Sequence, residues 1–441
     1  MKQVNIALIG FGTVGTGVVH GLSANMQHII NTTDMNIRIK TIADIDLNTD
    51  RGIDISGITI TENYRDIAED GEIDIAVQLI GGIDTAFTVM TDLLKSGKKV
   101  VTANKALLAH KGAELFRTAA EHGSSIAFEA STGGGIPIIS ALRDGLTANI
   151  NQSVYGIVNG TSNYILSRMT EQDCPFDKAL HDAQEKGYAE EDPSLDLDGS
   201  DAAHKLLILT AVGFRTAVSM DDIYVEGITE IKQEDISVAR ELGYTVKSLA
   251  IAIRRENGLE LRVHPTLLSD SHPLSSVSGV FNAICVKGNL VGETMFYGKG
   301  AGSHPTASAV IADVIETASG AYASKFRNLC YFRENGFPSI IPFSETLSKF
   351  YLRIRVKDVP GVLADITSIL SKNTISVASM IQKESAGNET AIEFMTHECC
   401  EADFQNAVKE IKERNFVLAN PAFIRALDVG FESISSVPGQ D

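Results

Sequence analysis

The sequence predicts an α/β protein whose N-terminal part is a doubly wound parallel sheet and whose C-terminal part is a ferredoxin-like module. Two observations predict the first part: buried-strand patterns alternate with helical patterns, and a glycine-rich turn follows the first strand. A third observation predicts the second part, because strand and helix patterns follow one another there in the order β-α-β-β-α-β.

The first strand and the turn after it predict a dinucleotide site. Val4–Ile9 is a nearly unbroken apolar run, typical of a strand buried on both faces of a parallel sheet. A G-x-G-x-x-G motif and an apolar helical pattern follow, and the motif consists of Gly10, Phe11, Gly12, Thr13, Val14 and Gly15. Such glycines permit a tight turn and let a pyrophosphate approach the helix N-terminus. A glycine-rich turn without a ligand is the alternative.

Further strand patterns, separated by helical stretches, continue the sheet at Ile37–Ala43, Ile73–Ile80, Lys99–Thr102 and Ser125–Phe128. Asp44 follows the first of them, where an acidic residue hydrogen-bonds the adenosine ribose of NAD. An insertion at Asn25–Asn36 lengthens its spacing from the glycine motif. NADP would require an arginine, and Arg51 is the only close candidate, so we predict NAD or dual use. A surface-turn aspartate is the competing interpretation.

Lysine and carboxylate side chains at two places predict a catalytic centre. Lys105 follows Lys99–Thr102, and ligands of open α/β sheets gather at the carboxyl ends of strands. Asp201 and Lys205 stand one turn apart on a predicted helix that Ser200 can cap. Because this helix continues into a strongly apolar run, we expect a partly buried pair that is tuned for proton transfer. A solvated loop lysine and a weak surface ion pair are the alternatives.

Two other segments offer ligand groups. The segment Glu129–Pro137 (EASTGGGIP) exposes backbone carbonyl and N–H groups, which can bind an ion or form only a turn. Val154–Val158 has a strand pattern, and the residues NGTSN that follow it lead into a helix predicted from Tyr164. The hydroxyls and amides of NGTSN can hold a substrate carboxylate or simply cap the helix.

The C-terminal module is predicted after Phe337–Phe343, which carries two prolines and has the composition of a linker. Its strands are predicted at Phe350–Val356, Ile375–Ile381 and Thr390–Thr396. Its helices are predicted after the turn Asp358–Asp365 and at Phe404–Glu413.

Composition narrows the class of protein. The formal net charge of −18 argues against a nucleic-acid surface and against docking on an acidic membrane. The first residues have a strand pattern rather than that of a signal peptide, and the apolar run Leu206–Phe214 is far too short for a membrane span. Five cysteines without a C-x-x-C spacing predict reduced thiols in a cytoplasmic protein, at Cys174, Cys285, Cys330, Cys399 and Cys400.

Six motifs carry a resemblance to a known family. In chain order they are GFGTVG, TANK, EASTGGGIP, NGTSNYIL, GYAEEDPSLDLDGSDAAHK and YGKGAGSHPTASAV. With them the chain resembles homoserine dehydrogenase, and GYAEEDP followed by D-x-x-x-K is the specific part. In the C-terminal module, D-x-P-G-V-L resembles the first turn of an ACT domain.

The homoserine dehydrogenase resemblance implies a role for each matching residue. Lys205 corresponds to the proton donor and acceptor, Asp201 to its partner, and Lys105 to the lysine beside nicotinamide and substrate. Glu190 corresponds to the residue that holds the substrate ammonium. The other substrate-pocket positions are Gly160, Thr161, Tyr188 and Asp196. Gly187 and Gly302 correspond to late cofactor contacts. A sodium ion is expected at Glu129, Thr132, Gly134 and Ile136, mostly through main-chain carbonyls.

The resemblance also implies a domain organisation. A dinucleotide-binding domain is expected at 1–130, to which the chain returns near 305–335. An α+β catalytic domain, which also binds substrate and dimerises, is expected at 131–320. An ACT regulatory domain is expected at 348–430.

The implied activity is NAD(P)H-dependent, reversible reduction of L-aspartate 4-semialdehyde to L-homoserine in threonine, methionine and isoleucine biosynthesis. A homodimer or homotetramer is expected, and L-threonine is the expected effector, with Gly361 and Ala364 near it. Alternatively, the ACT domain only dimerises. An aspartate-semialdehyde dehydrogenase would need an activated cysteine, and none stands in a suitable context. A non-catalytic amino-acid sensor is the remaining alternative, and it predicts a broken set of lysines and carboxylates.

Overall fold

The structure, a computed structural model, describes residues 1–46, 48–326, 338–382 and 387–427. Four predictions fall partly or wholly outside these residues: the linker at residue 337, the end of the C-terminal domain at 428–430, the return of the chain at 327–335, and Cys330. The cysteines within the described ranges carry free thiols. No helix in those ranges has the length and apolarity that crossing a membrane requires.

Helices and strands are numbered here in chain order. The strands are β1 Lys2–Ile9, β2 Met35–Ala43, β3 Thr59–Thr61, β4 Ile75–Gln78, β5 Lys99–Thr102, β6 Ile126–Ala127, β7 Asn151–Ile157, β8 Tyr224–Val225, β9 Tyr244–Arg255, β10 Gly258–Ser269, β11 Phe281–Gly288, β12 Gly292–Lys299, β13 Leu347–Lys357, β14 Val377–Gln382, β15 Glu389–Thr396, β16 Cys399–Cys400 and β17 Ala422–Ala426. The helices are α1 Thr13–Thr33, α2 Arg65–Glu69, α3 Asp84–Lys95, α4 Lys105–Glu121, α5 Ile138–Ser140, α6 Gly160–Gln172, α7 Phe176–Glu185, α8 Ser194–Leu197, α9 Ser200–Phe214, α10 Gln233–Glu241, α11 Ser303–Ser319, α12 Ala321–Phe326, α13 Val362–Lys372 and α14 Glu401–Lys412.

The chain forms two compact units, each built from separate stretches of sequence. The first unit comprises Met1–Gly160, Asp201–Ile223 and Val280–Ser339. The second unit comprises Thr161–Ser200, Tyr224–Gly279 and Ile340–Asp441.

The first unit contains the predicted doubly wound sheet. Its strand order is β3-β2-β1-β4-β5-β6, and every pairing is parallel. The central strands are buried on both faces, as their unbroken apolar runs predict. Because the order reverses between β1 and β4, the carboxyl ends of these two strands flank the crevice where such folds bind ligands.

Helix α1 is longer than the sequence pattern suggested. The residues interpreted as an insertion, Asn25–Asn36, mostly continue this helix, which ends at Thr33. The helix packs closely against α11, because a Cβ added at Gly17 would lie 2.7 Å from the carbonyl oxygen of Ser303. Residues Ser303–Ser319 therefore lie against the dinucleotide-type sheet although they are distant from it in sequence.

A second, antiparallel sheet of the first unit contains β7, β11 and β12, with β11 in the middle. Strand β7 is buried along nearly its whole length. The helix predicted from Tyr164 begins at Gly160 instead, because the residues after β7 turn directly into helical conformation. Ser200, interpreted as a cap, is the first residue of α9.

The second unit contains the predicted ferredoxin-like module. Strands and helices follow as β13-α13-β14-β15-α14-β17, and the sheet order is β17-β13-β15-β14. Stacked rings of Phe350 and Phe404, with centroids 3.7 Å apart, join the sheet to α14 in its core. Strand β17 also pairs in parallel with β10, which in turn pairs with β9 and β8.

A buried arginine reinforces this connection between the module and β8. Arg425, on β17, is 1% exposed and donates two hydrogen bonds, of 2.9 and 2.8 Å, to the carboxylate of Glu401. It donates a third, of 2.7 Å, to Glu226, which follows β8. Its guanidinium also lies over the ring of Tyr224, which stacks on Phe343. Bidentate pairing of this kind fixes the geometry of both partners.

Candidate functional site

The loop after β1 leaves an open space at the start of α1. Gly10 has a φ of +103°, and a Cβ there would lie 2.9 Å from the backbone of Leu79. A Cβ at Gly15 would lie 2.4 Å from the carbonyl oxygen of Gly10. A Cβ at Gly12, by contrast, would meet no atom within 4 Å. The two outer glycines are thus required by packing, whereas Gly12 faces the space that an anion at the helix N-terminus would use.

Three other residues proposed for the cofactor belong to this loop and the start of α1, and a fourth, Gly302, lies beside it. Phe11 is buried, Thr13 is exposed and Val14 is intermediate. Gly302 precedes α11, and the Ser303 hydroxyl that follows it donates a hydrogen bond of 2.8 Å to the carbonyl of Thr13. The structure therefore brings Gly302 to the glycine motif, from which it is distant in sequence.

Asp44 lies beside the same loop. Its carboxylate accepts a short hydrogen bond from the backbone N–H of Phe11 and one of 2.8 Å from that of Asp46. The Arg51 guanidinium lies 4.9 Å from the centroid of the Phe11 ring and forms an ion pair of 3.1 Å with Asp46. The Asp44 carboxylate and the Arg51 guanidinium, which the sequence analysis proposed for recognition of the adenosine ribose, thus both lie at the loop. The Asp44 carboxylate also holds the loop in place through its hydrogen bond with Phe11.

A cluster of two lysines and one carboxylate lies at the N-terminal ends of two helices of the first unit, α4 and α9. Lys105 is the first residue of α4, and its Nζ lies 2.7 Å from Oδ1 of Asp201. The Nζ of Lys205, one turn further along α9, lies 2.6 Å from Oδ2 of the same carboxylate. The sequence predicted the pair on α9 and each lysine by itself, but not that one carboxylate bridges both lysines.

Burial makes this cluster electrostatically strong. Asp201 is 6% exposed and Lys205 is 8% exposed, which confirms the predicted burial of the pair. Burial by itself opposes ionisation of Asp201, but the charges of Lys205 and Lys105 outweigh it and hold the pKa of that carboxyl well below its usual range. The carboxylate is therefore ionised at neutral pH, so it stabilises a positive charge on both amines.

Two asparagines that the sequence reasoning did not single out fix the cluster. Asn104 accepts a 2.9 Å hydrogen bond from the N–H of Leu107 and so caps α4 directly before Lys105. Asn159, after β7, donates a 2.8 Å hydrogen bond to Oδ2 of Asp201. Their positions in the sequence could have indicated this role, since both asparagines follow strands whose carboxyl ends lie at the cluster.

The remaining candidates for the substrate pocket fall in the second unit, apart from Gly160, which begins α6. The Thr161 hydroxyl donates a 2.7 Å hydrogen bond to the carbonyl of Tyr188. The carbonyl of Asp196 accepts one of the same length from the Ser162 hydroxyl. Glu190 and Tyr188 are exposed, as is Gly187. The structure thus ties Thr161, Tyr188 and Asp196 to the start of α6.

The segment proposed for a cation is mostly buried and contains one buried hydroxyl group without a hydrogen-bond partner among the described residues. The carboxylate of Glu129 accepts hydrogen bonds of 2.8 Å from the N–H groups of Ile139 and Ser140, and burial raises its pKa. The hydroxyl of Thr132 is fully buried and finds no hydrogen-bond partner among the described residues. Within those residues no three His, Cys, Asp or Glu side chains converge on a metal position, so a cation here would depend on main-chain carbonyls.

A pocket of about 320 Å³ lies at the first turn of the C-terminal module. It is lined by Val356, Lys357, Asp358, Val359, Pro360, Gly361, Val362, Leu363, Gln382, Thr390 and Ile392. The volume lies within the range of small-molecule sites. The D-x-P-G-V-L turn therefore contributes six of the eleven residues that line a cavity large enough for an amino acid.

Family models match most of the chain. The model described as homoserine dehydrogenase, NAD binding domain, matches residues 10–129, and that described as homoserine dehydrogenase matches residues 137–315. The model described as ACT domain matches residues 350–416.

Curated proteins and solved structures are similar over almost the full length. The homoserine dehydrogenase of Helicobacter pylori is 42% identical over 425 residues, which cover 96% of this chain and 99% of that one. That of Neisseria gonorrhoeae is 40% identical over 417 residues, which cover 93% and 96%. The structure of a homoserine dehydrogenase from Thiobacillus denitrificans has a TM-score of 0.92 at 42% identity and covers 98% of this chain and 99% of that one. A hyperthermophilic archaeal homoserine dehydrogenase mutant in complex with NADPH has a TM-score of 0.60 at 27% identity and covers 72% and 98%.

Replacement of Gly12 by alanine tests the cofactor loop. The added methyl group meets no protein atom, so we expect an unchanged thermal midpoint, but it occupies the space into which a pyrophosphate must move. We expect the Kd for NADH and NADPH to rise on the order of tenfold or more, measured by fluorescence titration. Gly71→Ala, where the added Cβ also meets no atom, is the matched control and should bind normally. Normal binding by Gly12→Ala would contradict this assignment.

Proposed function

The chain belongs to the homoserine dehydrogenase family of NAD(P)-dependent oxidoreductases, and from this premise we propose that it interconverts L-aspartate 4-semialdehyde and L-homoserine. The pathway proposed with this reaction is the biosynthesis of threonine, methionine and isoleucine. The observation that supports the proposal most is the buried cluster in which Asp201 bridges Lys105 and Lys205.

The cluster can hold and move one proton at the substrate oxygen. Lys205, as an ammonium ion, stabilises the negative charge that develops on that oxygen during reduction and then donates its proton. Asp201 keeps Lys205 charged until that moment, and Lys105 adds a second positive charge beside the same carboxylate. In the reverse direction the neutral amine of Lys205 accepts the hydroxyl proton.

A nicotinamide cofactor, when bound, would supply the hydride. We propose that the residues holding this cofactor are Gly10, Phe11, Gly12, Thr13, Val14, Gly15, Asp44, Lys105, Gly187 and Gly302. For the substrate we propose Gly160, Thr161, Tyr188, Glu190, Asp196 and Asp201, with the Glu190 carboxylate binding the substrate ammonium.

We propose that the enzyme uses both NAD and NADP. Asp44 at the end of β2 suits the ribose hydroxyls of NAD, whereas Arg51, which lies over the Phe11 ring, suits a 2′-phosphate. The complex of a related archaeal enzyme with NADPH supports the phosphorylated cofactor.

We also propose a sodium ion. Its ligands, mostly main-chain carbonyls, would come from Glu129, Thr132, Gly134 and Ile136. The unpartnered, buried hydroxyl of Thr132 supports it, because a buried polar atom without a partner is costly. The ion would fix the segment that runs from β6 into α5.

Threonine is the effector we propose for the pocket of the ACT domain. A route towards the substrate segment exists within the second unit, because Arg425 on β17 binds Glu226 after β8. Two residues further on, the N–H of Ile228 donates a hydrogen bond of 2.9 Å to the carbonyl of Leu197. Leu197 directly follows Asp196 in the substrate segment, so a shift of β17 would be transmitted there.

Three organisational features complete the proposal. We propose domains at 1–130, to which the chain returns near 305–335, at 131–320 and at 348–430. A homodimer or homotetramer is proposed because strand β12 carries exposed apolar side chains, Met295 and Tyr297 among them. The location proposed is the cytoplasm, in line with the free thiols of the described cysteines.

The activity is tested by steady-state rates with L-aspartate 4-semialdehyde and NADH or NADPH. We expect turnover with both cofactors, and Lys205→Met should lower kcat by on the order of a hundredfold or more while cofactor affinity persists. Lys247→Met is the matched control, since Lys247 is also buried and also donates to a main-chain carbonyl, that of Val277. It should keep its turnover. Undiminished kcat in Lys205→Met would refute the assigned role.

Regulation is tested by isothermal titration of the full chain with L-threonine, together with inhibition of turnover. We expect saturable heat and inhibition, and a loss of affinity on the order of tenfold in Gln382→Ala, which removes a polar group from the pocket. Lys372→Ala, an exposed change on α13 outside the pocket lining, should bind threonine normally. Absence of both heat and inhibition in the unaltered chain would remove the sensing role.

The sodium site is tested by thermal unfolding in sodium chloride and in choline chloride at equal ionic strength. Because a ligand that binds only the folded state stabilises it, we expect the midpoint to rise saturably with sodium alone. Equal midpoints in the two salts at every concentration would rule the ion out.

A further inference from the structure

Asp201 has three donors around it, and one of them is an amide rather than an amine. Lys105 reaches Oδ1 at 2.7 Å, and Lys205 reaches Oδ2 at 2.6 Å. The side-chain amide of Asn159 donates to Oδ2 as well, at 2.8 Å. Asn159 is 5% exposed, so water cannot readily take its place at the carboxylate.

The neighbouring residue of the same loop holds the other member of the pair. The carbonyl oxygen of Val158 accepts a hydrogen bond of 2.6 Å from the Nζ of Lys205. One dipeptide after β7 therefore binds the lysine through a backbone oxygen and the carboxylate through a side-chain amide. The strand before it pairs with β11 and approaches it closely, because a Cβ at Gly156 would lie 2.2 Å from the carbonyl oxygen of Ala283.

We propose that Asn159 is a positioning residue, which keeps the Asp201 carboxylate turned so that each of its oxygens faces one lysine. The two lysines compete for this carboxylate, and the Lys105 side chain, 39% exposed, is the more exposed of the two. Without the amide the carboxylate is free to turn towards Lys105. Lys205 then loses part of the negative charge that favours its ammonium form.

This role predicts a change in pH dependence, which a purely structural role does not. It rests on the proposed reaction, in which homoserine oxidation requires the neutral amine of Lys205, so that kcat/KM rises with pH. In Asn159→Ala we expect this rise to move to lower pH by about one unit, because the ammonium form loses stabilisation. In Asn159→Asp the added negative charge should move the rise to higher pH.

Other ionisable groups near the pair lie on the same two helices, and their effects are separable. They are Lys105 and His110 on α4, and His204 on α9 beside Lys205. Burial lowers the pKa of His204 below its ordinary value, so this imidazole is neutral in the alkaline range where the rise is measured. The expected shift is therefore not that of His204.

Strand β7 and helix α9 offer a matched control at their other ends. Asn151, at the start of β7, donates a hydrogen bond of 2.7 Å to the carbonyl of Gly213 near the end of α9. It is a buried asparagine that joins the same two elements without touching the carboxylate. Asn151→Ala should lower the thermal midpoint but leave the position of the pH profile unchanged.

The experiment is the pH profile of kcat/KM for L-homoserine with the full chain and these three variants. Shifts of opposite sign for Asn159→Ala and Asn159→Asp establish the positioning role, whereas profiles that coincide with that of the parent after scaling overturn it. If Asn159→Ala does not fold, Asn159→Asp, which keeps the shape of the side chain, decides alone.

A second readout separates this proposal from the proposed reaction. Nuclear magnetic resonance of protein labelled at the lysine ¹³Cε follows protonation of Lys205 without turnover, with the resonance assigned by Lys205→Arg. If the parent chain does not oxidise homoserine, the reaction is wrong, and the titration of Lys205 in the two Asn159 variants still decides the role of Asn159. Equal titration midpoints in parent and variants would overturn it.

Discussion

The shared carboxylate of Asp201 is the constraint on which the catalytic part of the fold depends. A buried carboxylate is tolerated only when it is paired, and here two ammonium groups and an amide satisfy it. Those three partners come from α4, α9 and the loop after β7, so each element must reach one point within tenths of an ångström. The parallel sheet positions Lys105, since β5 ends shortly before α4. The antiparallel sheet positions Asn159, since β7 ends two residues before it.

Local pattern was sufficient to predict most elements. Strand β5 was predicted with its observed ends, and the ferredoxin-like order of the C-terminal module followed from alternation and turn chemistry. The pair on α9 was predictable because its two residues are one helical turn apart. Element ends were less accurate: α1 continues through residues that looked like an insertion, and α6 begins before Tyr164. Helix ends depend on what the chain packs against, which a local pattern does not contain.

The contacts between distant residues of the site could not be predicted from local sequence patterns. The contacts of Asp201 with Lys105 and with Asn159 join residues far apart in the chain, and only the folded arrangement of two sheets brings them together. Asp44 shows a related effect. The sequence nominated it for a ribose, but its carboxylate also binds the N–H of Phe11 and thereby holds the glycine loop. A single acidic residue can serve the loop and a ligand, because a carboxylate accepts more than two hydrogen bonds.

Strand β17 joins the sheet of the C-terminal module to the other strands of its unit. It pairs antiparallel with β13 inside the module and parallel with β10 outside it. Deleting the module would therefore uncover the backbone of β10 at Thr266 and Leu267 and remove the strand that pairs with these two residues. Exposed edges of this kind recruit other chains and lead to aggregation. The module therefore covers the edge of the sheet that contains β10. A shortened protein without the module would need another segment to pair with this edge in order to stay free of aggregates.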